Sequence, residues 1–295
     1  MDRQAKALNK LLRSELTAVH QQFTHVLALR EWGETETAAR IMEVDRVDFP
    51  NAMRILDYLV ETGAPLDLAP DPFVPGSSVQ EVLRAEQAME RRLSATIAGA
   101  RVTDQRARAL FATALEPRQA YAEWLDKRLS DGVPDGAATP RTDTGTADVV
   151  AHLITMVEQT LAHAFVHWHA GAVENADAAW AASGGAMMQL TEMVRLYAAR
   201  RCVPAPGRFP ALHIAVRPEE SFEPDRRLAA LVAKQAAGVA RRNEQDALAA
   251  LCRRIADYSL EQSRWSPGQD HPAGRTNPPA FASFEATLRR FNIAA

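Results

Sequence analysis

Two cysteines occur in 295 residues. Cys202 and Cys252 lie far apart, outside any zinc or redox motif. A buried thiol is the expectation for each. Basic clusters are also missing, and the formal net charge is −3, which argues against a nucleic-acid partner. No run of about 18 apolar residues is present, so no membrane span is expected. Met1-Asp2-Arg3-Gln4-Ala5-Lys6 lacks the apolar core of a signal peptide. The expected location is the cytoplasm. Strand signals are scarce, because β-branched alternation is rare. What remains is an ordinary globular balance, 47% hydrophobic and 24% charged. The length leaves room for two domains.

Alanine is abundant and apolar positions recur at three- and four-residue spacing, so the fold class is all-α. The pattern predicts helices at about 3–31, 35–62, 78–101 and 104–130. Ser130 to Pro140, rich in Gly and Pro, reads as a linker. Helices resume at about 146–173, 175–201, 224–243 and 245–265, and a tail follows with a short helix near 280–291. Each half runs short turn, long connection, short turn. One long crossover between the second and third helices is the ferritin-like topology. The expected domains are a bundle over about 1–130, a linker over 131–145, a divergent bundle over 146–266 and a tail over 267–295.

Both halves open on the same signature. Glu15 is followed five residues later by His20, and Glu158 by His163, each on an apolar helix. A carboxylate in an apolar stripe is costly unless it is paired or binds a metal. The repetition suggests a tandem duplication: two bundles related as an internal pseudo-dimer, with a homodimer as a further possibility.

A family resemblance rests on particular residues. Leu8-Asn9-Lys10-Leu11-Leu12, Glu15-Leu16, Phe23, His25 and Trp32-Gly33 resemble the first helix of bacterioferritin. Arg84-Ala85-Glu86-Gln87-Ala88-Met89-Glu90 resembles its third helix, and Glu123-Trp124-Leu125 the end of its fourth. The resemblance covers about residues 8–130 and implies a di-iron site. Its ligands are a Glu from each of two helices and a Glu-x-x-His pair from each of the others. Glu15 and Glu90 match. The second-helix pair falls on Asp48 and Asn51, or on Val47 and Pro50 if the register slips. The fourth-helix pair falls on Arg118 and Tyr121, and arginine cannot bind a cation. The first half is therefore expected to hold no di-iron pair and no other cofactor is implied. Three arrangements stay open: Arg118 paired with Glu15, Glu90 or Asp48 in the core, a vestigial mononuclear metal site, or these groups at the surface. Pro117 is expected to kink the fourth helix.

In the second half His152, His163, His167 and His169 share one helix, and His163 and His167 share a face. With Glu158 and Glu192 they are the candidate metal ligands; His213 and Asp257 are further candidates. The opposing expectation puts His167 and His169 at the helix exit, in solvent or at an interface. Met156, Met187, Met188 and Met193 read as core packing. Gly184-Gly185 reads as a close helix approach or a kink. The candidate catalytic residues are Glu15, Glu90, Arg118, Tyr121, Glu158, His163 and Tyr258. The function these suggest is a repurposed small-molecule enzyme of specialised biosynthesis, doing acid–base work in a bundle cavity. A metal-dependent oxidase or oxygenase and a non-catalytic binding or scaffold protein are the alternatives.

Overall fold

The computed structural model describes residues 3–115, 118–132, 146–200, 209–210, 222–264 and 283–293. Among them there is no strand. They fall into two units: 3–132 with 197–200, and 146–196 with 209–293.

The first unit begins with α1 (Arg3–Glu31) and α2 (Thr35–Glu61). They form a hairpin because α1 ends on Gly33, at φ +87°, a backbone conformation that glycine adopts without strain. The cap closes with Glu34 N–H donating to Leu29 O at 2.8 Å. α1 is buried on almost every side from Glu15 to Leu29. α3 (Val79–Ala98) starts at Ser78, whose hydroxyl accepts from Glu81 N–H. The single fourth helix expected over about 104–130 is recorded as α4 (Gln105–Leu115) and α5 (Arg118–Ser130). The Pro117 kink lies outside the described residues. α3 packs on α1, α5 on α3, and α4 on α2, which completes a four-helix arrangement.

The long connection from α2 to α3 is held by one stripe of α1. Asn9, Arg13, Thr17, Gln21 and His25 follow one another at four-residue steps, so they form a row that winds slowly round the helix. Asn9 Nδ2 donates to Pro65 O (2.8 Å), and Asn9 Oδ1 accepts from Asp67 N–H (2.6 Å). Thr17 Oγ1 accepts from Asp71 N–H (2.9 Å), and Gln21 Oε1 from Val74 N–H (3.2 Å). His25 Nε2 donates to Val74 O at 2.9 Å. Arg13 pairs with Asp67 and Asp71. An extended strap has no neighbouring strand to satisfy its backbone, and these side chains do so instead.

The second unit holds α6 (Ala147–His169), α7 (Val173–Ala198) up to Leu196, α8 (Glu223–Arg242), α9 (Asp246–Ser263) and α10 (Phe284–Arg290). α6 is long and apolar enough to cross a membrane, but its apolar window is wholly buried within the protein. That is the pattern of a core helix. It ends as α1 does, on a glycine, Gly171 at φ +75°. α8 and α9 pack on one another, and both carry small buried residues, Ala233, Ala236 and Ala240 on α8 and Ala249, Cys252 and Ala256 on α9. Cys252 is thus the buried thiol expected of it; Cys202 lies outside the described residues. Gly185 fulfils the close-approach reading. A Cβ there would stand 2.4 Å from the Tyr258 hydroxyl, which donates to Ala182 O. α10 docks by Phe284, fully buried against Phe165, Trp168 and Trp180.

Candidate functional site

Four helices of the first unit send one charged side chain each to the bundle centre. Glu15 comes from α1, Asp48 from α2, Glu90 from α3 and Arg118 from the first turn of α5. None is more than 2% exposed. Arg118 Nη1 donates to both oxygens of Glu90 at 2.8 and 3.1 Å. Its Nη2 donates to Glu15 Oε2 at 2.9 Å and to Asp48 Oδ1 at 2.8 Å. The guanidinium thus bridges three carboxylates, a geometry its planar fork suits. Of the three arrangements left open by the sequence, the structure takes the internal ion pair. Asn51 is buried too, yet its Oδ1 accepts from Arg54, so it takes no part.

Three acids around one cation leave an excess of negative charge. Burial, opposed by Arg118, lifts Glu90 to about 7. Burial also raises Glu15 well above the usual carboxylate range and raises Asp48, again against Arg118. Asp45, near this cluster, is lifted to about 7 by burial and by Asp48 and Glu86. Burial alone would lower Arg118, but the carboxylates reverse that and raise it. Burial therefore works against full ionisation of these acids, and the arginine among them stays charged.

A second set of groups adjoins this one. Tyr121 OH donates to Glu86 Oε2 at 2.8 Å. Glu86 Oε1 meets His25 Nδ1 at 2.5 Å and accepts from Gln21 Nε2 at 3.3 Å. Since His25 Nε2 faces the Val74 carbonyl, it must carry a proton. A further proton then lies between Nδ1 and Glu86, on one or the other. Burial and Glu86 push Tyr121 well above the usual phenol range, so it acts as a donor. Val74 itself is 56% exposed. The chain from Tyr121 through Glu86 and His25 therefore ends just beneath the surface, under the strap. Glu86 and Gln22, which donates to Asp48 Oδ2 at 3.1 Å, were not singled out as site residues from the sequence. The four-residue spacing of Glu86 and Glu90 was the available signal.

The second-unit candidates are distributed differently. Glu158 and His163 are buried on α6. His163 lies with its ring 4.3 Å from that of His167 and edge-on to Phe222 at 5.2 Å. His169 is exposed as expected at the helix exit, but His167 is fully buried, and burial lowers its pKa. Glu192 does not join them; it is half exposed and pairs with Arg254 of α9. Asp257 is exposed, and His213 lies outside the described residues. Among the described residues no three His, Cys, Asp or Glu side chains are grouped to hold a metal ion. The ligand set Glu158, His163, His167 and Glu192 is thus not assembled, because α7 turns Glu192 outward. Tyr258 is spent on Ala182 O. Met156 and Met193 pack in the core as expected, but Met188 is 45% exposed.

No family model matches the chain, and no solved structure matches it. A bacterial ferritin of Pseudomonas aeruginosa is 27% identical over 128 residues, which cover 41% of this chain and 83% of that protein. The likeness is distant, and it supports a ferritin-like relationship for an all-α chain.

Proposed function

We propose that this chain is a repurposed ferritin-like protein that acts on a small molecule by proton transfer, with Arg118 standing where an iron pair would need its ligands. The observation that carries the reading is the hydrogen-bonded chain Tyr121–Glu86–His25, ending under Val74 beside a cluster of acids lifted toward neutrality. Glu90, lifted to about 7 with Glu86 close by, is a group of the kind that suits general acid–base work. In this reading Glu15, Asp48 and Glu90 hold Arg118, and Arg118 keeps the centre closed to cations. Tyr121 and Glu86 carry the proton, and His25 passes it beneath the strap 62–78, whose displacement would admit a substrate. Glu158, His163 and Tyr258 are the reserve candidates of the second unit. The proposed setting is specialised biosynthesis. The tandem origin of the two units is part of the same proposal.

A non-catalytic binding role is the second reading. Full burial of Tyr121, Glu86 and His25 favours it, since no substrate reaches them while the strap is down. The deciding experiment uses the full chain, purified without added metal. Metal analysis comes first, and two irons per chain held by Glu15 and Glu90 would overturn both readings. A thermal-shift screen against a metabolite panel then finds a ligand. On the enzyme reading, Tyr121→Phe keeps the ligand-induced shift and lowers turnover by about 100-fold or more. Ligand binding with no turnover in the parent leaves the binding role.

A further inference from the structure

The second unit also buries an arginine, and among the described residues no carboxylate hydrogen-bonds it, although the Asp225 charge lies near enough to raise its pKa. Arg226 on α8 is 3% exposed. Its Nη1 donates to Gln159 Oε1 at 2.9 Å, and its guanidinium lies 5.2 Å from the Phe222 ring centroid. Its Nη2 has no partner. The neighbouring acid, Asp225, accepts from Gln159 Nε2 at 2.8 Å instead. Gln159 is therefore held at both ends of its amide and cannot turn to serve Nη2. On α9, Gln262 is 8% exposed and its Nε2 also lacks a partner. Arg226 and Gln262 line one cavity of about 10 Å³, together with Thr160, His163, Ala179, Ala182 and Phe222. The first unit shows what a buried guanidinium in such a bundle takes: Arg118 has three carboxylates on its two Nη atoms.

We infer that the cavity between Arg226 and Gln262 is a binding site for a small monovalent anion, of chloride to carboxylate size. The two unpartnered groups are pure donors, so they call for an acceptor. A buried cation calls for a negative charge. Burial lowers Arg226 only to about 10, so it is charged at neutral pH. The space is that of roughly one water molecule, which limits what enters it to a monatomic ion or one oxygen of a terminal carboxylate. The argument concerns α6, α7, α8 and α9 of the second unit and does not rest on the proton-transfer reading of the first unit.

The test follows the melting of the full chain in sodium methanesulfonate, whose sulfonate is too bulky for the cavity, at constant ionic strength, titrated with chloride, bromide, formate, acetate or sulfate. The expected result is a saturable rise in Tm of about 5 °C at a hundredfold excess over Kd, with sulfate weakest. A response to halides alone assigns a free ion. A preference for formate and acetate assigns a carboxylate terminus. Arg226→Met is expected to be at least as stable as the parent in methanesulfonate and to lose the response. An equal response in Arg226→Met, a non-saturating response to every salt, or none in the parent would overturn the site. Should Arg226→Met fail to fold, Gln262→Leu carries the test. Its affinity is expected to fall about tenfold, the loss of one hydrogen bond to a charged group, and unchanged affinity would overturn the site.

Discussion

At Arg118 a residue that cannot bind metal occupies a position that, by resemblance, belongs to a ligand. Its value to the fold is conditional on its partners. Removing it leaves Glu15, Asp48 and Glu90 facing one another with no cation. Breaking a buried pair in this way costs about 3–5 kcal/mol, so Arg118→Ala is expected to unfold at markedly lower denaturant near pH 7. Protonation relieves the repulsion, so the deficit against the parent should shrink at pH 5. Equal stability of the two proteins at pH 7 would show that the pairs contribute nothing. Gly185 is the second residue whose identity is dictated by a neighbour. Gly185→Ala puts a methyl group against the Tyr258 ring and hydroxyl, and overpacking of this kind typically costs about 1–3 kcal/mol. Chemical denaturation of the single mutant measures it, and a neutral result would mean that α7 and α9 shift apart without cost.

At the scale of elements, the strap between α2 and α3 depends on a side-chain ladder and not on a sheet or helix. Each rung but Arg13, which pairs with the Asp67 and Asp71 carboxylates, satisfies backbone groups that would otherwise be left unpaired. Asn9→Leu removes the partner of both Pro65 O and Asp67 N–H. The expected loss is about 1–3 kcal/mol, the cost of leaving such groups unsatisfied. Amide exchange should quicken over 65–74 before it changes in α1, α2 or α3. Uniform acceleration through the unit would instead show that strap and bundle open together. The ladder was visible in the sequence as polar residues at four-residue steps. Its partners were not, because nothing local tells an extended segment which helix it will follow.

At the scale of the whole molecule, the raised acids set a sign for stability against pH. Asp45 and Glu90 are held near 7 in the fold, above their usual values of 3.8 and 4.5. The folded state thus binds more protons than the unfolded one between those limits. Stability from these groups is fully present below the lower values and is lost as pH rises through about 7. Each contributes a slope of up to about 1.4 kcal/mol per pH unit within that window. Asp45→Asn is expected to flatten the parent's fall in stability between pH 5 and 8. Parallel curves for parent and variant would place Asp45 in water.

The sequence by itself determined the all-α class, the helices other than the divided fourth, and the short first turn at Trp32-Gly33. Periodicity and glycine placement are local properties, and they suffice for that. It offered Glu15, Asp48, Glu90 and Arg118 at one centre as one of three arrangements, because the resemblance supplied a register, and the packing of the helices chose among them. Tertiary structure alone decided which polar groups share a proton. Glu86 and His25 are 61 residues apart, and only the packing of α3 on α1 makes them partners. It decided that Glu192 turns outward while His167 turns in, a matter of how each helix is rotated in its bundle. It also decided that Arg118 is hydrogen-bonded by three carboxylates and Arg226, among the described residues, by an amide oxygen. Two arginines on apolar helices look alike in sequence; what differs is the set of side chains that the fold brings across to meet them.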